Sequence, residues 1–439
     1  MEDEHRYQLY DWHCCDEIIN TNDSDCEDNE TSEKISQVYV MYMFGVSEKG
    51  NNACIKVTGF EPFFWIELPD FWVKSWSSAL IYNLRDKLPR NMKDEIITDR
   101  INDCIHLKYK FRNYQWNTPR KFMKLEFKSE KALRSVYYRL KEGKKNPSKR
   151  INLNTRIKNH IFPIYEKNIT PVLRMIHIRN LKPSGWIKIK NARYTKSLFA
   201  ESSLRRNWSV DWRDVSPAES NSIGPIKVAS FDIEADSSHG DFPVAKKDYY
   251  KLAMNIYEEY TRCKKQKIRP NPTLVKMWIK CAFREYYKND HYDENMKSSI
   301  QTIFLKDEPN ITAREFDTIG VDCYKELVKS NKEKGKDIIE SIKKILDNSL
   351  PHVKGDKVIQ IGTVLYRYGQ EKETMQRHIV TLGGCKDIPG VEVVACETVE
   401  ELVSEWVNFL RFAQPNIMTG YNIFGFDFKF LWECAEEYN

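Results

Sequence analysis

Residues 226–234, IKVASFDIE, constrain this chain more than any other stretch. An apolar run of this kind reads as a strand. Strand side chains alternate between faces, so Asp232 and Glu234 share one. Two carboxylates at the end of a buried strand require partners, because an isolated buried charge is costly. A hard divalent cation, which takes oxygen ligands, is one such partner. In a chain with 63 acidic residues, however, an isolated Asp-x-Glu reads first as a solvated or salt-bridged pair. A third carboxylate decides between them.

At 439 residues the chain is long for one core and suggests two or three domains. Its 41% hydrophobic and 13% aromatic content supports packed cores, and no apolar run is long enough to span a bilayer. The start, MEDEHRYQLYDW, lacks a basic region followed by an apolar stretch, which places the protein inside a cell or organelle, with no membrane partner. The 11 cysteines include no Cys-x-x-Cys pair and read as reduced thiols. Residues 1–34 hold 12 acidic and 2 basic residues, leaving 67 basic against 51 acidic in the remainder. A basic body suits a polyanionic partner and is equally compatible with ordinary solubility.

Residues 16–34 have too few large apolar groups to offset the entropy of ordering, so 1–34 is expected to be a flexible acidic segment behind a short strand at 7–12. A β-rich domain is expected over 35–225. It opens with two strands joined by a Glu-Lys-Gly-Asn turn and continues with helices near 76–88 and 130–141 and strands around VLRMIHI and GWIKIK. Arg120, Lys121, Lys124, Lys128, Lys131, Arg134 and Arg139, interleaved with Tyr137 and Tyr138, form either a phosphate-tracking stretch or a solvated surface. The Pro-, Gly- and Ser-containing run at 215–225 marks a boundary, and 226–439 is read as a second domain. Within it, Lys-rich helices over 247–350 interrupt what are otherwise consecutive strands at 226–234, 357–369 and 377–384. A helix over 398–411 with a Thr398/Glu401 capping box, a short strand and a helix from about 426 complete it.

The third carboxylate is Asp427, at the start of that last helix, after a strand expected to pair beside the one bearing Asp232. Three carboxylates at one sheet end can hold two magnesium or manganese ions and support phosphodiester hydrolysis. Tyr421, Asn422 and Phe426 offer one polar hook and two aromatic faces for a frayed nucleotide; a turn asparagine with core aromatics is the alternative, and spacing alone leaves both open.

The blocks FDIEADSSHGDFP at 231–243 and TGYNIFGFDFKFL at 419–431 resemble the first and second exonuclease motifs of family B DNA polymerases. VIQIG at 358–362, FGVSEKGNNACIKVTGFEPFFW at 44–65 and the delta-type segment at 164–188 resemble the same family. The nearest flavour is the replicative polymerase of large DNA viruses of eukaryotes. The resemblance implies an RNase H-like 3′–5′ proofreading exonuclease fold, in which Asp232, Glu234 and Asp427 hold the catalytic metals and Asn422 positions the terminal nucleotide. It implies DNA as partner, an OB-type and RNA-recognition-type assembly ahead of the exonuclease, and a site of action in a viral factory, cytoplasm or nucleus of the host.

The family's third exonuclease motif and its polymerase aspartates do not appear within 1–439. The exonuclease domain is therefore expected to be incomplete, with the remainder on a second polypeptide, or the chain a truncated remnant. The competing class is a non-catalytic DNA-binding or subunit-docking fragment. A third reading, a stand-alone exonuclease, would draw its fourth carboxylate from Asp236 or Asp241.

Overall fold

The computed structural model describes residues 4–21, 34–111, 118–196, 204, 206–238, 240–288, 292–329, 335–369, 371 and 374–438. These fold into two compact units, Met1–Ile226 with Arg367–Gly369, and Lys227–Tyr366 with Gln370–Asn439.

The first unit runs β1 (His5–Thr21), β2 (Lys34–Val46), β3 (Asn52–Thr58), β4 (Phe63–Glu67), α1 (Trp76–Asp86), β5 (Ile105–Lys108), β6 (Arg120–Glu126), α2 (Glu130–Lys145), β7 (Ile164–Tyr165), α3 (Pro171–Ile178), β8 (Trp186–Ile189), β9 (Arg193–Tyr194), β10 (Arg206–Asp211) and β11 (Val215–Pro217). One sheet has the order β11-β8-β1-β2-β3-β10-β9 and a second β5-β6-β4-β7. The expected hairpin joins β2 and β3, with Gly50 at φ +79 in its turn. Met41, Met43 and Ile55 anchor the core of the first sheet; Phe64, Leu80, Met123 and Leu133 anchor that between the second sheet and helices α1 and α2.

Two expectations fail in this unit. Residues 16–21 are strand rather than flexible linker, pairing from Asp16↔Tyr39 to Thr21↔Lys34. Composition undervalues this stretch because its support is nonlocal: the β2 ladder on one side, and the Asp16 carboxylate, which accepts the Glu130 and Lys131 amides at 2.8 and 2.9 Å in the first turn of α2. Residues 22–33 lie outside the described residues. The run VLRMIHI is helix α3, not strand. Thr170 accepts the Leu173 amide as N-cap and Pro171 occupies the first helical turn, a start signal that outweighs the β-branched content.

The second unit runs β12 (Lys227–Ala235), α4 (Tyr250–Lys265), α5 (Pro272–Ala282), α6 (Glu294–Ser299), α7 (Ala313–Val328), α8 (Gly335–Ser349), β13 (Val358–Arg367), β14 (Gln376–Leu382), β15 (Glu392–Cys396), α9 (Val399–Ala413), β16 (Ile417–Thr419) and α10 (Asp427–Tyr438). Its sheet has the order β15-β14-β13-β12-β16. β13 and β14 are antiparallel, while β15 lies parallel to β14 and β16 parallel to β12. Together with α9 and α10 this is the mixed α/β layer implied for an RNase H-like exonuclease fold. The strand β15 is absent from the sequence reading, although EVVAC after a Pro-Gly carries a strand signal. The capping box of α9 forms as expected.

Helices α4 to α8 enclose their own core, with Ile256, Trp278, Phe283, Phe316 and Ile342 at its centre. Their two ends are pinned side by side. The buried Asp356 carboxylate accepts the Val244 amide at 2.8 Å and Lys247 Nζ at 2.5 Å. Beside it, a Cβ on Gly355 would fall 1.7 Å from the Ala245 carbonyl oxygen, an approach only glycine permits.

Candidate active site

In the carboxylate strand the burial alternates as its pattern requires. Phe231 and Ile233 enter the core beneath α9 and α10, with Phe231 4.9 Å from Trp406 and 5.2 Å from Phe428 between ring centroids. Asp232 and Glu234 are exposed on the alternate face. β16 pairs in register with β12 from Val228↔Ile417 to Ser230↔Thr419, so the chain beyond Thr419 leaves the sheet alongside Phe231 and Asp232.

A tight turn follows. A Cβ on Gly420 would lie 2.5 Å from the Phe231 carbonyl oxygen and 2.4 Å from Ile423 Cγ2, so glycine lets the turn sit directly on the carboxylate strand. Asn422 is left-handed at φ +54, and its carbonyl accepts the Gly425 and Phe426 amides at 2.9 and 3.0 Å. That turn delivers Asp427 to the first position of α10, where the helix dipole favours a carboxylate.

Asp427 is 2% exposed. Its carboxyl lies close enough to Asp232 to feel that residue's charge, and its buried Oδ1 has no hydrogen-bond partner. Burial pushes the Asp427 carboxyl above the usual carboxylate range, and the charge of Asp232 pushes it the same way. Two neighbouring carboxyls with an orphaned buried oxygen have the donor chemistry of a hard-cation site. Among the described residues no three His, Cys, Asp or Glu side chains group closely enough to hold a metal ion. Glu234 therefore shares the strand face without completing a cluster with the Asp232–Asp427 pair. Asp236 completes none either, and Asp241 instead lies 3.8 Å from Lys251 and accepts from Gln301 at 3.3 Å.

The aromatic surroundings differ from a buried core. Tyr421 is 92% exposed, and Phe426 is half-buried between Phe242 and Phe430, at 4.9 and 5.3 Å between ring centroids. Phe242 and Phe424, both exposed, extend this surface and escaped the sequence reading. Aromatic type within the two carboxylate blocks was the available signal. The basic run of the first unit is partly committed to local partners: Arg120 to Asp70 at 2.5 Å, Lys124 to Glu126 at 2.5 Å and Arg134 to Glu130 at 2.8 Å, with Lys121 donating to the Asp70 carbonyl at 2.8 Å. Cysteines of the described residues are free, and no helix among them is long and apolar enough to cross a membrane.

A sequence model described as DNA polymerase family B, exonuclease domain, matches residues 162–320 and 312–439, more than half of the chain. The chain is 32% identical over 467 residues to the DNA polymerase of Pyramimonas orientalis virus, covering 98% of this chain and 36% of that protein. It is 26% identical to the DNA polymerase of Phaeocystis pouchetii virus, covering 98% of this chain and 47% of the other. Against the DNA polymerase delta catalytic subunit of Arabidopsis thaliana it is 21% identical, covering 91% of this chain and 26% of the relative. The chain thus spans about a third to a half of the length of the two viral relatives. With motif blocks, fold and family match in agreement, this chain belongs to family B of the DNA polymerases and carries that family's exonuclease domain.

Proposed function

We propose that the chain supplies the 3′–5′ proofreading exonuclease site and part of the DNA-binding surface of a replicative DNA polymerase acting inside a virus-infected cell. The observation that carries this reading is that Asp427, at the start of α10, lies within electrostatic reach of Asp232 on the carboxylate strand, with one buried Asp427 oxygen unpartnered. The greater length of the viral relatives supports assigning polymerisation to sequence outside 1–439, on the same or a second polypeptide.

Asp232, Glu234 and Asp427 would hold two magnesium or manganese ions. When bound, such ions supply the Lewis acidity for attack of water on a phosphodiester and departure of its 3′ oxygen. Burial raises the proton affinity of Asp427, and ligation there takes its deprotonated form. Asn422 would hold the terminal nucleotide through its amide, and Tyr421, Phe424 and Phe426 would stack on its unpaired bases, an interaction that tolerates any sequence.

The test uses 3′-labelled single-stranded DNA with the purified chain, alone and with a polypeptide bearing the remaining polymerase sequence. Magnesium-dependent release of mononucleotides is expected. Asp232→Ala and Asp427→Asn should each lower it by about a hundredfold or more while leaving DNA binding in EDTA intact. Magnesium should also raise the melting temperature of the wild-type chain and not that of Asp427→Asn. The alternative is a non-catalytic DNA-binding or docking fragment. DNA binding with neither magnesium-dependent hydrolysis nor a magnesium-dependent melting shift would establish that alternative.

A further inference from the structure

The helical insertion contributes one wall of a cleft that the exonuclease reading does not use. The cleft has a volume of about 390 Å³ and lies between the loop after β12 and two insertion segments, 301–304 and 353–354. That volume falls within the range of small-ligand sites. Phe242, Val244, Tyr250 and Phe304 form its apolar walls, and Lys251 and Lys354 stand at its rim.

The charges of this cleft divide into committed and available. Lys246 is bound to Glu436, Lys247 to the buried Asp356, and Asp248 to Lys343 at 3.2 Å. Lys251 lies 3.8 Å from Asp241, with both side chains more than half exposed, a pair of little worth in water. Lys354 is exposed and has no carboxylate partner among the described residues. Two cations beside an aromatic slot match the chemistry of a nucleotide within a single strand, with a phosphate at the rim and a base between rings.

The cleft also adjoins the carboxylate site. Phe242 lines it, is 72% exposed, and its ring lies 4.9 Å from and tilted 60° to that of Phe426, the residue before Asp427. Phe242 therefore links the lining of the cleft to the residue that precedes Asp427. We propose that this cleft binds an unpaired nucleotide of the same single strand, internal to the 3′ end presented to Asp232 and Asp427. The inference rests on the exonuclease reading and gives the insertion a part in holding the strand. The ends of the insertion are pinned through Asp356, so its wall is set in place before the strand arrives.

The experiment measures binding of a 5′-labelled dinucleotide and octanucleotide of thymidine to the full chain in EDTA, for wild type, Lys251→Glu/Lys354→Glu and Lys251→Arg/Lys354→Arg. The octanucleotide should bind wild type more tightly than the dinucleotide. The Glu variant should weaken octanucleotide binding by about tenfold or more, with a shallower salt dependence, and leave the dinucleotide within about twofold. The Arg variant should restore the octanucleotide affinity. Unchanged octanucleotide binding in the Glu variant, or equal losses for both lengths, would overturn the proposal while leaving the exonuclease reading standing. Failure of wild type to bind either oligonucleotide would overturn that reading, and the cleft assignment with it.

Discussion

His378 is buried on β14 with its ring stacked on Phe409 at 3.9 Å and 6°, and its Nδ1 has no hydrogen-bond partner. Burial lowers its pKa, against the smaller upward pull of Glu392 and Glu405. The folded state therefore holds the neutral ring, whereas the unfolded chain protonates near the ordinary value of about 6.5. The stability this contributes is complete above that value and is lost as pH falls from it toward the lowered folded value. Denaturant midpoints of the second unit should decline over that window and stay flat above it, and His378→Phe, which keeps a planar ring against Phe409, should abolish the slope. Burial acts on Asp427 in the opposite sense, raising its proton affinity because there the charged form is the deprotonated one. Asp232 and Asp427 stand out in the sequence as candidates by their type and their blocks. Phe242 does not, because its importance comes from the ring it meets.

The element that fixes the site is the turn between β16 and α10. Gly420→Ala would force its Cβ against the Phe231 carbonyl and Ile423, lifting the turn and the start of α10 away from β12. A stability loss of about 1–3 kcal/mol is expected, together with a nuclease loss larger than that figure explains, because misplacing a reacting group by an ångström can cost about a hundredfold. Thermal melts and initial rates on the same preparation separate the two. Most elements here were legible from periodicity and caps, as α9 shows with its capping box. Where legibility failed, the cause was physical. VLRMIHI is too short and too apolar for its period to separate helix from strand, so the Thr170-Pro171 start decides. Residues 16–21 owe their strand to β2 and to capping of α2, neither visible in local composition. For Glu234, spacing specifies the strand face it shares with Asp232 and not how far its side chain reaches.

At the scale of the whole molecule, the second unit contains two cores, that of the sheet with α9 and α10 and that of the inserted helices. Asp356 joins the loop after β12 to the point where the insertion ends. Asp356→Ala would leave Lys247 and the Val244 amide without their acceptor, at a cost of about 3 kcal/mol. Hydrogen exchange should report that loss at β12 and β13 while α4, α5, α7 and α8 keep their protection as one block. Parallel loss of protection in the helices would mean that the two cores are a single cooperative body. The pin at Asp356 also bears on how this chain tolerates change in length. Loop-closure entropy grows only with the logarithm of length, so a connection of a hundred residues costs about 2 kcal/mol more than one of ten. With its ends stapled and its interior self-packed, the bundle can gain or lose residues without altering the register of the strands it separates.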